Sequence, residues 1–129
     1  RSSSLKAEKL DAIVLAAQFK LMASKPEIVQ QTMDEFTVFR RRTQPPGASM
    51  GSMFKNPPGD FSGRLIEQAG LKGTQVGDAE ISDLHANFFL NHGDATASEI
   101  FELIELASDT VKRKFGIKLE LEIELLGEW

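Results

Sequence analysis

Ser49-Met50-Gly51-Ser52-Met53-Phe54-Lys55-Asn56-Pro57-Pro58-Gly59 is the stretch around which the chain divides. Ahead of it the pattern reads as one strand, one long helix and a Pro-rich turn. Behind it helices and short strands alternate. That order predicts an α+β fold: a small mixed or antiparallel sheet with helices packed on it. The stretch sets a hydroxyl, an ammonium and a carboxamide within a few residues of one another, between glycines and prolines. Gly51 opens backbone conformations closed to other residues and lets a ligand approach closely. Pro57 and Pro58 stiffen the exit and push Asn56 away from the helical region. Such a loop can aim Ser52, Lys55 and Asn56 in fixed directions. Composition alone also allows an ordinary turn with a solvated lysine.

Working backwards, residues 12–21 are apolar and β-leaning, and read as a strand. Ser24 is a plausible N-cap and Pro26 a first-turn proline, so a helix is expected from Pro26 to about Arg42. Val29, Met33 and Phe36 share its apolar face, with Ile28 and Phe39 at the margins. Arg40, Arg41 and Arg42 crowd its end, where cations suit the helix dipole. They read as a solvated helix end, as a nucleic-acid patch, or as a source of one arginine facing an anionic ligand beside the loop. Pro45 and Pro46 stop the helix.

Working forwards, residues 60–70 read as a short helix with Ser62 as N-cap and Gly70 as its stop. Residues 74–81 suggest short strands joined by a turn, and Phe88-Phe89-Leu90 another strand. Thr96-Ala97-Ser98-Glu99 has capping-box form and opens the clearest helix, to about Phe115, with Gly116 as its stop. Ile100, Leu103, Ile104, Ala107, Val111 and Phe115 form its apolar stripe. In the last element Leu119, Leu121, Ile123 and Leu125 alternate with Glu120, Glu122 and Glu124, which predicts an amphipathic strand.

Length and composition narrow the function classes. With 129 residues and 41% apolar content the chain can bury one domain's core. A net charge of −4 argues against a general nucleic-acid or membrane-surface binder. No apolar run reaches membrane-spanning length. The absence of cysteine rules out disulfides, thiolate nucleophiles and Cys zinc sites, and fits a reducing compartment. Arg1 is not a start methionine, so the sequence reads as a fragment.

Three candidate chemistries come from the residues themselves. The three glutamates stand about 7 Å apart on one strand face. That is either a solvated face or a pocket wall where one carboxyl acts, and spacing does not single one out. His85 and His92 lack metal-ligand spacing, so no metal site is expected. A Ser-His-Asp set could be drawn from Ser52, His85 and Asp83, but Ser52 lacks the glycine of a nucleophile elbow. No phosphate-binding or dinucleotide fingerprint is present.

Residues 49–57 resemble the serine loop of the UDP-N-acetylenolpyruvoylglucosamine reductase (UDP-N-acetylmuramate dehydrogenase, MurB) family. The resemblance continues in order through Leu65-Ile66-Glu67-Gln68-Ala69-Gly70-Leu71-Lys72-Gly73, Ser82-Asp83-Leu84-His85-Ala86-Asn87-Phe88, Ala95-Thr96-Ala97 and Phe115-Gly116-Ile117 with residues 119–123. It implies that residues 1–46 are the tail of a second flavin-binding domain, strand plus helix, and that 47–129 are the substrate-binding C-terminal domain. The two flavin-binding domains would lie largely outside this chain. An orphaned strand at the start would then leave an open edge suited to dimerisation or swapping.

The resemblance implies an oxidoreductase of peptidoglycan precursor synthesis, cytoplasmic, in which NADPH reduces FAD and the flavin passes hydride to UDP-N-acetylglucosamine enolpyruvate. Ser52 would donate the proton. Glu122 would steady the enolate-like carboxylate by donating a hydrogen bond while protonated. Asn56 would bind substrate, and so would His85, at a position where the family contacts substrate and sometimes has glutamine. Thr43 stands where the family often has a basic residue, so Arg40, Arg42 or Lys55 would supply that charge. Of the residues near the flavin, this chain would offer Arg1 and Gly51. The fragment alone is expected to be inactive. The alternative is a stand-alone ligand-binding or interaction module that kept the fold without catalysis.

Overall fold

The computed structural model describes residues 13–127. The chain forms two compact units, Arg1–Thr32 and Met33–Trp129. In the first, residues 13–25 are neither helix nor strand. The strand expected over 12–21 is therefore not formed in its described part. Ile13, Leu15, Phe19 and Leu21 are 79–91% exposed. A strand needs a neighbour for its backbone N–H and C=O groups, and none of the described residues pairs with this segment.

Helix α1, Pro26–Thr43, follows as the sequence predicts. Its first turn is anchored by the Lys25 carbonyl, which accepts from the amides of Ile28 and Val29. It closes where the Gln44 amide reaches the Arg40 carbonyl and Pro45 forbids continuation. No residue of α1 is buried, so its stability rests on intrahelical terms.

Further along, the second unit holds helix α2 (Ser62–Gln68), strands β1 (Gln75–Val76), β2 (Ala79–Ile81) and β3 (Phe89–Asn91), and helix α3 (Ala97–Phe115). The strands form an antiparallel sheet in the order β1-β2-β3, with Val76 opposite Ala79 and Ile81 opposite Phe89. Helix α3 packs on β1 and β2, with α2 beside it. Its buried stripe is Leu103, Ile104, Ala107 and Val111, joined by Thr110. Phe115, at the stripe's end, remains 38% exposed. Each fully buried large side chain here contributes roughly 1.5–3 kcal/mol. Opposite them lie Met53, Phe54, Leu65, Ile66, Ile81 and Phe89, all at most 2% exposed.

The helix ends follow their local chemistry. Thr96 and Glu99 complete the capping box on α3, and Gly116 closes it in the left-handed region. Helix α2 ends in a Schellman motif: Gly70 donates to the Glu67 carbonyl and Leu71 to Ile66. Lys114 Nζ then donates to the Ala69 carbonyl at 2.6 Å, setting a cation on the negative end of α2. The start of α2 differs from expectation. Phe61, not Ser62, is the N-cap, and Ser62 is buried as the first helical residue. Its amide is capped from a distance by Asn56, whose Oδ1 accepts at 3.1 Å.

The expected last strand is also only partly formed. Leu119 is buried and Leu121, Ile123 and Leu125 are half-buried, while all three glutamates are exposed. The alternation therefore holds, but pairing is limited to one bridge, Phe54 to Leu121.

Gly77, in the β1–β2 turn at φ +55°, lies against Glu99 in the first turn of α3. A Cβ there would stand 1.9 Å from Glu99 Oε1. Glu99 cannot swing away freely, because its Oε2 accepts from the Thr96 amide at 2.7 Å. Gly77→Ala is expected to cost about 2 kcal/mol, from left-handed strain plus the weakened cap. Urea unfolding should show a lower midpoint with an unchanged slope.

On the outer face of the sheet Glu80 accepts hydrogen bonds from Gln75 Nε2 at 2.8 Å and meets His92 Nε2. The Gln75 bond first, and then His92, hold the Glu80 carboxyl below the usual range. A lowered folded value stabilises the fold at neutral pH, and the gain disappears as pH falls below about 4.3. The stability gap between the native chain and Glu80→Gln should be present at pH 6 and shrink towards pH 3 in denaturant titrations.

Candidate active site

Residues 48–54 run along the edge of β3 that β2 leaves free. The Asn91 amide donates to the Ala48 carbonyl, and the Met53 amide to Asn87. Ala48 bridges Asn91, and Ser52 bridges Phe88. The loop thus takes four steps between bridges where β3 takes three, which is a bulge. Gly51, at φ +90°, sits within it. Nothing lies within 4 Å of where a Cβ would stand, so backbone conformation, not space, selects glycine there. The bulge places Ser52 on the surface between the bulge and the buried pair Met53 and Phe54.

At Phe54 the loop leaves β3 and pairs instead with the C-terminal segment. The Lys55 amide donates to the Glu120 carbonyl at 2.8 Å, and the Glu122 amide to Met53 at 2.9 Å. The change of partner would strand the backbone of Phe54. Asn87 prevents that: its Oδ1 accepts from the Phe54 amide at 2.9 Å and its Nδ2 donates to the Phe54 carbonyl at 2.8 Å. Asn87 is 3% exposed, so both bonds are made away from water. The Phe54 ring packs edge-on to Phe89, with centroids 6.2 Å apart.

The exit of the loop is tied down separately. Besides the Asn56 bond to the Ser62 amide, the Ser62 hydroxyl donates to the Lys55 carbonyl. The loop before β3 is shaped by Ser82, whose hydroxyl accepts from the amides of Leu84 and His85. His85 Nδ1 accepts from the Asn87 amide at 3.3 Å, and the ring meets Phe88 edge-on. The ring lies over Gly63, where a Cβ would come within 3.0 Å of Cε1.

These supports bring Ser52, Asn56 and His85 onto one cavity of about 340 Å³. Arg64 and Glu67 of α2 line it too. Neither is among the residues singled out from the sequence. Arg64 Nε donates to Asp60 Oδ1 at 2.7 Å, its Nη2 bonds Asp60 Oδ2, and its Nη1 reaches Gln68 at 2.6 Å. The guanidinium holds the Asp60 carboxyl below its ordinary range, and Asp60 raises Arg64 in turn. The i to i+4 spacing of Asp60, Arg64 and Gln68 was a readable signal. Asn87 had none, since its partner lies 33 residues away.

The other sequence candidates lie off this cavity. Glu122 is exposed, although its amide bonds Met53, the neighbour of Ser52. Lys55 pairs with Glu120 at 3.5 Å, and both side chains are largely solvated. Arg42 is on the exposed end of α1, and Arg1 lies outside the described residues. Asp83, the third member of the hydrolase set, is exposed and flanks Gly73. Among the described residues no group of three or more His, Cys, Asp or Glu could hold a metal ion. None of the described helices is long and apolar enough to cross a membrane.

Comparison with known proteins shows which family the chain resembles. The chain is 49% identical over 129 residues to the UDP-N-acetylenolpyruvoylglucosamine reductase of Chloroflexus aggregans, covering 98% of this chain and 43% of that protein. The reductase of Rubrobacter xylanophilus is 45% identical over 116 residues, covering 90% of this chain and 39% of the relative. In the crystal structure of the MurB reductase from Thermus caldophilus, 37% of the chain superposes on 81% of this one, with a TM-score of 0.68 and 43% identity. This chain thus spans about two-fifths of the length of the relatives it matches. The family model for "UDP-N-acetylenolpyruvoylglucosamine reductase, C-terminal domain" matches residues 43–126, from the end of α1 through the cavity to the C-terminal segment, and the chain belongs to that family.

Proposed function

We propose that this chain is the substrate-binding and proton-donating part of an NADPH- and FAD-dependent reductase that converts UDP-N-acetylglucosamine enolpyruvate to UDP-N-acetylmuramate, in the cytoplasm, for peptidoglycan synthesis. On this reading residues 1–46 are the tail of a flavin-binding domain, and 47–129 the substrate domain. The observation that carries the proposal is the convergence of Ser52, Asn56 and His85 on one cavity within the family-matched span. The exposed apolar residues of the first unit, Ile13 to Met22, fit a segment that completes its sheet in a longer protein.

The residues beside Ser52 fit the edge of a flavin ring. Gly51 has no side chain, and the space where its Cβ would stand is open. Gly51 and Ser52 would face the ring, while the rest of the cofactor would be held by the missing region. When bound, the flavin supplies the hydride it receives from NADPH. Hydride adds to the vinyl CH₂ carbon of the enolpyruvyl ether, and the adjacent carbon becomes carbanionic, its charge shared with the carboxylate.

Ser52 Oγ–H then gives its proton to that carbon, and the exposed hydroxyl regains a proton from water. Serine is a weak acid, but the acceptor is strongly basic and the loop holds the donor in place. Glu122 follows Leu121, the residue that bridges Phe54, so its backbone lies beside the serine loop. Substrate and the flavin-binding region would cover Glu122, which would then donate a hydrogen bond to the substrate carboxylate. Asn56 and His85 would orient the substrate, with Lys55 and Arg42 adding positive charge.

In the full-length enzyme, Ser52→Ala should lower substrate reduction by about 10²–10⁴-fold, the range for a positioned general acid. Stopped-flow reduction of the flavin by NADPH should be unchanged. Normal turnover in the variant would remove Ser52 from the role.

A further inference from the structure

We infer that Trp129 seats its indole in a second, apolar cavity beside the start of the serine loop, and so braces that loop against α3. This cavity has a volume of about 450 Å³ and shares no residue with the cavity of Ser52, Asn56 and His85. Ser49 and Met50 form one side, Ile100 and Ile104 of α3 a second, and Ile123 and Leu125 a third. Met50 is 56% exposed although it lines an apolar space, so among the described residues its cover is incomplete. Glu128 and Trp129 lie outside the described residues.

Reach, direction and chemistry point to Trp129 as the occupant. Leu125 is already on the wall, and Trp129 follows four residues later, within about 13 Å of extended chain. Gly127 stands between them at φ +109°, a conformation that glycine takes without strain, so the segment can bend there with no side chain in the way. Leu126, the other large apolar residue at this end, is 80% exposed and is not part of the wall.

An indole is a broad apolar ring with one N–H, and a buried indole needs an acceptor for it. The wall matches that demand, being mostly apolar with the Ser49 hydroxyl and the Glu124 carboxylate as acceptors. Thr96, also on the wall, already uses its hydroxyl oxygen to accept from the Glu99 amide. A ring between Met50 and Ile100 would tie the loop to α3 just ahead of Gly51 and Ser52. It would also hold Ala48 at the free edge of β3, where the Asn91 amide donates to the Ala48 carbonyl. The inference goes beyond the proposed function and does not rest on it, because docking is read from the chain alone.

Trp129 is the single tryptophan of the chain, so its fluorescence reports this one site. In the 129-residue chain at micromolar concentration, its emission should lie to the blue of the urea-unfolded chain, with several-fold weaker acrylamide quenching. Nuclear Overhauser contacts should connect the indole protons to the methyl groups of Ile100 and Ile104. In Trp129→Ala the Asn91 amide should exchange several-fold faster relative to Leu103 of α3, with Trp129→Phe in between. Emission and quenching equal to those of the unfolded chain, or no contact to Ile100 and Ile104, would overturn the docking. A blue shift that appears only as concentration rises would assign the cavity to the tryptophan of a second copy, and would overturn it too. Unchanged Asn91 exchange in Trp129→Ala would overturn the brace.

Discussion

The two hydrogen bonds between the Asn87 carboxamide and the backbone of Phe54 are the constraint on which the site depends. The serine loop starts on the free edge of β3 and ends against the C-terminal segment. Where it changes partner, the bridge of Phe54 to Leu121 is made by the groups of its neighbours, and the N–H and C=O of Phe54 itself meet no backbone partner. A buried peptide group left unpaired would cost about 1–3 kcal/mol for each missing bond. The side chain of Asn87 presents an acceptor and a donor at the right spacing, and so stands in for the missing strand. The same residue uses its carbonyl to fix Met53 and its amide to fix His85. One residue thus sets the loop that carries Ser52 and the ring that shares its cavity.

Second to that, the scaffold is conventional and locally determined. The capping box at Thr96, the glycine stops at Gly70 and Gly116, and the apolar stripe of α3 were all legible in the sequence, because each is decided within four or five residues. The serine loop, Asn56 and His85 were legible through order and resemblance. What was not legible depends on distant partners. The segment 13–21 has β-leaning residues but no described neighbour to pair with. The 119–125 segment keeps its alternation, yet pairs at one bridge only, since the loop opposite it turns away after Lys55. Ser62 looked like a cap and is instead capped by Asn56, six residues upstream. Arg64 was not singled out from the sequence and lines the cavity.

The site shows how structural bonds can shape chemistry. The Asn56 carboxamide oxygen caps the start of α2, and Nδ1 of the His85 ring accepts from the Asn87 amide, so bonds made for the fold also fix the side chains on the cavity wall. Ser52 stands at its edge beside Gly51, where nothing lies within 4 Å of the place a Cβ would take. Glu122 is brought near by backbone pairing alone, and its side chain still faces solvent in this chain.

The most direct test of the Asn87 constraint is native-state amide hydrogen exchange. The Phe54 amide, in a loop by conventional description, should exchange as slowly as those of Leu103 and Ala107 in α3, because only global opening breaks a buried bond of this kind. Exchange of Phe54 at the rate of an exposed loop amide would contradict the claim that Asn87 holds the serine loop in place.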